Sequence, residues 1–210
     1  MVTVKLFVEG GGDSRIQHDI CRKGFRLFLE KAGFSGRMPR ILACGSRNNA
    51  YSDYITAINN GENAVLLIDS EGPIHPNSII DSTKLESWNP WLHLQCSDKW
   101  SKPEISDIKD CHLMVEIMEA WFIADIDTLK EYFGYKFNEG VISFWDNVEE
   151  ISKSHVMSIL VNATKASTKG IYRKGKHSFE ILARINSRAV VKKSIWARRF
   201  IELLSKKLQS

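Results

Sequence analysis

The sequence predicts an α/β protein with a mostly parallel sheet flanked by helices. Residues 2–8 alternate and then run apolar before a glycine-rich turn, and residues 64–68 (AVLLI) form a continuous apolar run that ends at Asp69. A continuous run of this kind is typical of a central strand covered on both faces. Stretches with helical spacing separate the strands, and this alternation favours parallel strands joined by right-handed crossovers.

The remaining elements follow from spacing and turn residues. Residues 14–31 have apolar side chains at helical spacing, with Gly33 just beyond them, and residues 40–43 are predicted to form a short strand. An apolar element at 112–115 precedes a predicted helix in which Trp121 and Phe122 are interpreted as core rather than base-stacking residues. The predicted helices after the first cover residues 50–59, 117–126, 148–160, 178–185 and 194–208.

Two parts of the chain are predicted. Residues 1–127 are expected to form a catalytic core with an irregular insertion at about 73–103, and residues 128–210 a mainly helical, basic C-terminal extension packed on that core. From Lys165 to Lys207 there are thirteen lysines and arginines against only two glutamates, Glu180 and Glu202. A basic region can attract a polyanion such as nucleic acid, or it can be a solvated face that keeps the protein soluble.

Composition excludes several classes of protein. Hydrophobic residues make up 43% and charged residues 26% of the 210, as in an ordinary globular chain. The four cysteines are far apart with no C-x-x-C pair, which indicates free thiols in a reducing cytoplasm. No apolar stretch approaches the roughly 20 residues that a membrane span needs. The sequence also lacks a P-loop, a G-x-S-x-G elbow and histidines at zinc-ligand spacing.

Acidic residues follow two of the predicted strands. Glu9 comes after the first strand, and Asp69 and Glu71 come after a later one, each beside a glycine. Ligands bind at the carboxyl ends of strands in an open parallel sheet. Carboxylates gathered there repel one another unless a hard cation lies between them, so we expect Mg²⁺ (or Mn²⁺) at this edge. The alternative is that these acids are ordinary turn residues.

Four segments resemble a known family. Val8-Glu9-Gly10 and Asp69-Ser70-Glu71-Gly72 resemble the two halves of the Toprim domain, which topoisomerases, bacterial primases and OLD-family nucleases share. The run from His112 to Asp125, which contains MEAWFIAD, is similar to a segment of the DUF4276 (RloB-like) group of Toprim-related proteins. A C-terminal stretch with Tyr172, Lys174 and Lys176-His177 is also similar to that group.

This resemblance implies that residues 1–127 form a Toprim-like catalytic core, and it implies roles for individual residues. Glu9 is expected to be an acid/base or metal-linked residue, Asp69 and Glu71 to be metal ligands, and Glu119 to be a further catalytic and metal-binding acid. Glu119 is preferred to Glu116 because it matches the motif, although on helix geometry either acid can face the site. Many Toprim domains have Asp-x-Asp where this chain has Asp69-x-Glu71. Relatives are often encoded beside an ABC/AAA-type ATPase, so a partner ATPase is inferred by analogy.

Other candidates surround this acidic set. Gly10, Lys174 and Lys176 are predicted to bind phosphate, and Lys176 with His177 to take part in catalysis, because a basic loop can grip a scissile phosphate. An ordinary exposed basic loop is the alternative. Asp13 and Asp125 are either outer residues of the site or caps of the helices that follow them, with the cap slightly preferred for Asp13.

The predicted function is metal-dependent hydrolysis of phosphodiester bonds in DNA or RNA, by an endonuclease that acts as the effector of a bacterial anti-phage defence module. A divalent cation at the acids would lower the pKa of water and stabilise developing charge. The alternative is a non-catalytic Toprim-like subunit that binds nucleic acid or a partner ATPase and regulates it. A lysine or arginine bridge across the point where Glu9 and Asp69 meet would argue against the hydrolytic role.

Overall fold

The computed structural model describes residues 3–209. The chain is an α/β protein whose four strands are all parallel and lie in the order β2-β1-β3-β4, which confirms the predicted fold class. Val2, in the predicted first strand, lies outside the described residues. The strands are β1 (Lys5–Val8), β2 (Arg40–Ala43), β3 (Ala64–Asp69) and β4 (Cys111–Met114).

Nine α-helices flank the sheet in the described part of the chain. The first continues into a wider turn at Glu30–Phe34, where Gly33 has a φ of 96°. The helices are α1 (Arg15–Leu29), α2 (Arg47–Asn59), α3 (Pro90–Asp98), α4 (Ala120–Ile123), α5 (Ile126–Phe133), α6 (Lys153–Thr164), α7 (Lys174–Leu182), α8 (Ser187–Lys193) and α9 (Ile195–Lys207).

The central strand pair determines where the acids lie. In β1 and β3, Val8 is the register partner of Leu67, and the backbone N–H of Glu9 donates to the carbonyl of Leu67 at 3.2 Å. Strand β3 runs two residues further and ends at Asp69. Because the two strands are parallel neighbours, the residues that follow them emerge at the same edge of the sheet.

Both faces of the sheet are covered. All six residues of β3 are buried, as the continuous apolar run predicts. One face packs against α1 and the later helices, where Phe28 stacks on Trp121 with ring centroids 5.1 Å apart. Phe122 is also fully buried, so the interpretation of Trp121 and Phe122 as core residues is confirmed. The other face packs against α2 and α3 through side chains that include Tyr54 and Trp91.

The helix predicted over 117–126 is wrong as a single element. Asp125 has a φ of −133°, outside helical values, and its side chain accepts the backbone N–H of Thr128 at 3.3 Å. The chain therefore forms two short helices, α4 and α5, with Asp125 as the N-cap of the second. Aspartate and serine caps compete with helix continuation because their side chains bond to local backbone groups.

Other boundaries also differ from prediction. The helix expected at 148–160 begins at Lys153, after Ser152 caps it, and the helix expected at 178–185 begins at Lys174. Helices α3 and α8 were not predicted, and α3 gives regular structure to part of the insertion at 73–103. Both are short and lack a clear apolar stripe, so their sequences carry little periodic signal.

The C-terminal helices pack directly on the rest of the chain. Helix α7 lies along α1 so closely that a Cβ added at Gly24 would be 2.8 Å from the carbonyl oxygen of Phe179. Helix α9 contacts β4, and its fully buried Arg199 donates to the carbonyl of Cys111 at 2.8 Å. The division into residues 1–127 and 128–210 stays a prediction.

Two further expectations concern location and cysteines. Across residues 3–209, none of the helices combines the length and the hydrophobicity needed to cross a lipid bilayer. The four cysteines are free thiols, as predicted, and three of them are buried.

Candidate functional site

Three acids come together at the carboxyl edge of the sheet. Glu9, Asp69 and Glu71 each present a carboxylate oxygen, and these oxygens lie within 4.8 Å of one another. Glu9 follows β1, Asp69 is the last residue of β3, and Glu71 lies two residues beyond it. The structure therefore brings together the three acids that the strand-end pattern selected.

Backbone hydrogen bonds hold this acidic cluster (Glu9, Asp69 and Glu71) in place. The N–H of Met118 donates to Asp69 Oδ1 at 2.8 Å, and the N–H of Asp69 donates to Glu9 Oε2 at 3.1 Å. Glu71 has a φ of 65°, in the left-handed region, and its N–H donates to the carbonyl of Glu116 at 2.8 Å. A non-glycine residue held there stores strain of order 1 kcal/mol, which the surrounding contacts must offset.

Burial and mutual repulsion make the cluster electrostatically costly. Burial raises the pKa of Asp69 well above its usual range, and the neighbouring charge of Glu9 raises it further. Burial also raises the pKa of Glu9, although the hydrogen bond from the Asp69 N–H and the charge of Lys174 oppose this effect. Mg²⁺ and Mn²⁺ bind hard oxygen ligands such as carboxylates. A partly buried group of carboxylates that repel one another therefore fits a divalent cation.

Two lysines already contact the cluster. Lys174 Nζ lies 3.4 Å from Asp69 Oδ2, and Lys153 forms an ion pair with Glu71. Burial lowers the pKa of Lys174, but the charges of Asp69, Glu119 and Glu9 outweigh it and raise the pKa overall. Lys174 is therefore charged at neutral pH.

Glu119 contacts Lys174 and is not a member of the acidic cluster. It is fully buried, and its Oε1 accepts hydrogen bonds from the hydroxyls of Tyr172 at 2.9 Å and Ser178 at 3.2 Å. Its Oε2 accepts no hydrogen bond within residues 3–209 and lies 3.5 Å from Lys174 Nζ. In this arrangement Glu119 and Asp69 hold the ammonium group of Lys174 between them.

A pocket of about 340 Å³ opens beside the cluster. Gly10 has a φ of 120°, and a Cβ there would be 2.5 Å from the ring of Phe179. Gly10 and Gly45 also exchange backbone hydrogen bonds of 2.8 and 2.9 Å, so the loops after β1 and β2 touch at glycines. The lining residues are Glu9, Gly10, Gly11, Gly12, Gln17, Gly45, Asp69, Met114, Met118, Lys174, Gly175, Ser178 and Phe179.

The structure does not bring Lys176 and His177 to this pocket. Lys176 is exposed, and His177 is buried with its ring 5.5 Å from that of Phe133. His177 Nδ1 accepts the N–H of Arg173 at 3.1 Å, at the start of α7. Burial lowers the pKa of His177. The histidine thus supports the helix that carries Lys174, while Lys174 itself lines the pocket. Phosphate binding by Lys174 stays a prediction.

Asp13 and Asp125 were the two candidates for outer site residues or helix caps. Asp13 is exposed, and Ser14 rather than Asp13 caps α1 by accepting the N–H of Gln17, so the cap prediction for Asp13 is wrong. Ser14 takes this place because it directly precedes the first helical residue. Asp125 caps α5 and also accepts the N–H of Asn186 at 2.7 Å, which identifies it as a cap. Neither residue lines the pocket.

Sequence reasoning missed several residues at the site. Arg47 donates to the carbonyl of Asp69 at 2.8 Å, while Lys153 approaches Glu71 from 82 positions further along the chain. Ser178 reaches the pocket from α7. No local pattern marks these residues, because each reaches the site through packing of a distant element.

Gly45 is different, because the sequence did contain a signal for it. It follows the predicted strand at 40–43 closely, as Gly10 follows the first strand. A Cβ at Gly45 would be 2.7 Å from the carbonyl oxygen of Gly12, and its φ of 74° also favours glycine. A glycine just beyond a strand end was therefore a usable marker of the pocket.

Comparison with known proteins adds one finding. A family model described as "Domain of unknown function (DUF4276)" matches residues 8–205 of this chain. The matched range includes the acidic cluster, the pocket and the C-terminal helices up to Ser205. The comparisons with curated proteins and with solved structures returned no match.

Proposed function

The chain belongs to the DUF4276 family, and from the geometry of its acidic cluster we propose that it is a metal-dependent nuclease that hydrolyses phosphodiester bonds of DNA or RNA. One observation carries the proposal: the oxygens of Glu9, Asp69 and Glu71 lie within 4.8 Å of one another beside a glycine-lined pocket. The all-parallel sheet is consistent with a Toprim-like fold. We also propose that the chain is related to OLD-family nucleases.

Glu9, Asp69 and Glu71 would hold Mg²⁺ or Mn²⁺. When bound, the cation would activate water and offset the negative charge of the phosphodiester. Glu9 lines the pocket and is the acid of the cluster that would accept a proton from the attacking water. Lys174 presents a positive charge to the same pocket and would stabilise charge that develops on the phosphate.

Glu119 would act as a positioning residue in this scheme. Its buried carboxylate lies 3.5 Å from Lys174 Nζ, and the hydroxyls of Tyr172 and Ser178 orient it from the other side. A long lysine side chain otherwise has several rotamers, and holding it against Asp69 and Glu119 restricts them. The positive charge of Lys174 is thereby held at the pocket before substrate binds.

The non-catalytic alternative has support from the lysine pairs. Lys174 contacts Asp69 and Lys153 contacts Glu71, so two of the three acids are already neutralised in part. Among the described residues, each lysine reaches only one carboxylate of the cluster within 4.0 Å, and both side chains are about half exposed at 51% and 42%. The pair of Lys153 with Glu71 is exposed on both sides and contributes little stability, so a cation with several oxygen ligands can displace that lysine. Asp69 is buried, so a cation there must compete with a stronger contact from Lys174.

Cleavage assays test the catalytic proposal. Glu9→Gln keeps the shape of the side chain but removes its charge, and we expect it to lower Mg²⁺-dependent cleavage of a plasmid and of total RNA about 10²-fold or more. EDTA should have the same effect on the wild type. Glu104→Gln, an exposed acid away from the pocket, is the matched control and should cleave normally. Equal background cutting by wild type and Glu9→Gln would favour the non-catalytic subunit.

Thermal unfolding tests the metal directly. Mg²⁺ at 100 times its Kd should stabilise the wild type by about 2.7 kcal/mol, or roughly 5–10 °C in Tm. Lys174→Ala removes the competing charge at Asp69, so it should lower the Tm without metal and enlarge the shift that Mg²⁺ causes. Lys165→Ala, at an exposed position, is the control and should change neither quantity. Absence of any Mg²⁺ shift in both wild type and Lys174→Ala would contradict a metal site here.

From the family resemblance we also propose a role in anti-phage defence and a partner ATPase. The chain has no P-loop of its own, so ATP hydrolysis in such a module would come from the partner.

A further inference from the structure

A second pocket, of about 380 Å³, is lined by positive side chains. It lies where the turn after α1 meets α8 and α9, and four of its nine lining residues are basic while none is acidic. Arg188 and Lys192 are exposed, one helical turn apart on α8, and neither forms an ion pair within residues 3–209. The four basic residues of this basic pocket are Lys31, Arg188, Lys192 and Arg198.

A buried hydroxyl provides a second observation at the same place. Ser187 also lines the basic pocket, is only 1% exposed, and its Oγ has no hydrogen-bond partner within the described residues. Leaving a buried polar group without a hydrogen-bond partner destabilises the folded chain. An anionic oxygen bound among the cations would accept this hydroxyl's hydrogen bond and remove that destabilisation.

Internal contacts make one side of the basic pocket rigid. Lys31 Nζ donates to the carbonyls of Ala183 at 2.7 Å and Ile185 at 3.2 Å, at the end of α7. Its hydrogen bonds are thus used within the protein, and it contributes charge rather than a free donor. Arg188 and Lys192 are the residues with donors available to a ligand.

Depressions that share lining residues lie between the basic pocket and the acidic cluster, along α1 and α7. Phe179 lines both the pocket at the cluster and a depression between the two helices. Arg184 lines that depression and the next one, and Lys31 lines this last depression and the basic pocket. Glu180 and Glu131 line the middle of the route, so its positive charge is concentrated at the far end.

The distance between the two ends is longer than a small molecule. Helix α1 begins at Arg15 near the cluster, and Lys31 lies at its other end, so about sixteen residues at 1.5 Å each separate them by roughly 25 Å. Backbone phosphates of one strand of a duplex are spaced by about 3.4 Å along its axis, so this distance corresponds to about seven of them. A polymer with a repeating phosphate can occupy both ends at once.

We propose that the basic pocket binds backbone phosphates of a polynucleotide whose path runs along α1 and α7 to the acidic cluster. This inference rests on the proposed function for the identity of the bound polymer. It assigns Arg188 and Lys192 as phosphate contacts in the basic pocket, at the end of α1 that lies away from the acidic cluster. They would raise affinity without reading bases, because phosphate contacts carry no sequence information.

Binding assays with a charge-removal variant test the proposal. Arg188→Ala/Lys192→Ala is prepared in the Glu9→Gln background, so that a 24-base-pair DNA duplex or a 24-nucleotide RNA is not cut in Mg²⁺. We expect the double substitution to weaken binding about tenfold or more at 0.1 M salt, and to reduce the slope of log affinity against log salt by about 2 units. Fluorescence anisotropy measures both quantities.

Matched controls separate this effect from net charge and from unfolding. Lys136→Ala/Lys165→Ala removes the same charge at two exposed positions outside the pockets described above, and should bind with wild-type affinity and slope. Thermal unfolding verifies that both double variants are folded. Equal affinity of Glu9→Gln with and without the Arg188/Lys192 substitutions, for both polymers, would overturn the proposal. So would preferential binding to vesicles of anionic phospholipid that the same substitutions abolish.

The binding and cleavage assays together distinguish a failure of the basic-pocket proposal from a failure of the proposed nuclease function. Loss of cleavage in Glu9→Gln together with unchanged binding by the Arg188/Lys192 variant would leave the nuclease and reject the basic pocket. Weakened binding without any cleavage activity in the wild type would support the basic pocket and reject the nuclease.

Discussion

Buried charged residues in this chain have two kinds of surroundings. Asp69 is buried beside another acid at a pocket, and one hydrogen bond from Met118 only partly offsets the cost. Arg199 is equally buried, but its guanidinium donates to four backbone carbonyls within hydrogen-bond distance, those of Leu85, Trp88, Ile108 and Cys111. A buried charge of this kind joins segments of the fold, whereas carboxylates that repel one another beside a pocket are the ones expected to recruit a ligand.

His112 gives the protein a predictable pH dependence. Arg199 Nη1 lies 3.0 Å from His112 Nδ1, and burial followed by the charge of Arg199 lowers the pKa of this histidine well below 6.5. The unfolded chain therefore binds a proton near pH 6.5 that the folded chain does not, so stability falls as the pH drops below 6.5. One such group contributes at most about 1.4 kcal/mol per pH unit.

His112→Gln should remove this contribution. The difference in unfolding free energy between wild type and variant, measured in urea from pH 7.5 to 4.5, should be constant above pH 7 and shift in favour of the variant below 6.5. Parallel curves across the whole range would show that His112 is protonated equally in the folded and unfolded chain.

At the scale of elements, the contact between α1 and α7 positions the candidate site. Helix α1 begins beside the glycine loop that follows β1, and α7 begins with Lys174. Their close approach at Gly24 brings Phe179 against Gly10, so the same pair of helices forms one wall of the pocket. A change that separates the helices therefore displaces Lys174 relative to the acids.

Gly24→Ala should destabilise the protein by about 1–3 kcal/mol, because the added methyl group would be 2.8 Å from the rigid carbonyl of Phe179. Gly175→Ala makes the same change on α7, where no atom lies within 4 Å, and should be neutral or stabilise the helix by up to about 1 kcal/mol. Guanidinium unfolding of both variants measures the difference. Equal effects of the two substitutions would mean that α1 and α7 do not pack this tightly.

For the whole molecule, one hydrophobic cluster joins the start and the end of the chain. Leu6 of β1 and Phe25 of α1 belong to the same buried cluster as Ile181 of α7 and Leu204 of α9. Residues 1–127 and 128–210 thus share core rather than meeting at a polar interface. A segment that shares its core with another is not expected to unfold separately from it.

Calorimetry should show a single transition. We expect the calorimetric and van't Hoff enthalpies of unfolding to agree for the full chain, because separation of α7 and α9 would expose the apolar faces of α1 and β4. Two resolved transitions, or a van't Hoff enthalpy well below the calorimetric value, would indicate that the C-terminal helices form an independent domain.

Local sequence patterns were sufficient for the strands and for the acids that follow them. The apolar run before Asp69 and the glycine turn at Glu9 have the signals of strand ends, and parallel strands bring such ends to one edge. Periodicity was less reliable for the helix predicted through Asp125, because a single capping side chain divides it. Short-range rules describe residues whose partners are a few positions away.

Long-range packing alone established the surroundings of those acids. Lys174 reaches Asp69 across 105 positions and Lys153 reaches Glu71 across 82, and the same packing turns His177 away from the pocket. The basic pocket likewise needs α1, α8 and α9 together, although the excess of positive charge in that region was visible in the sequence. Such contacts arise from how helices cover the sheet, and no periodic pattern within one element encodes the neighbour that another element supplies.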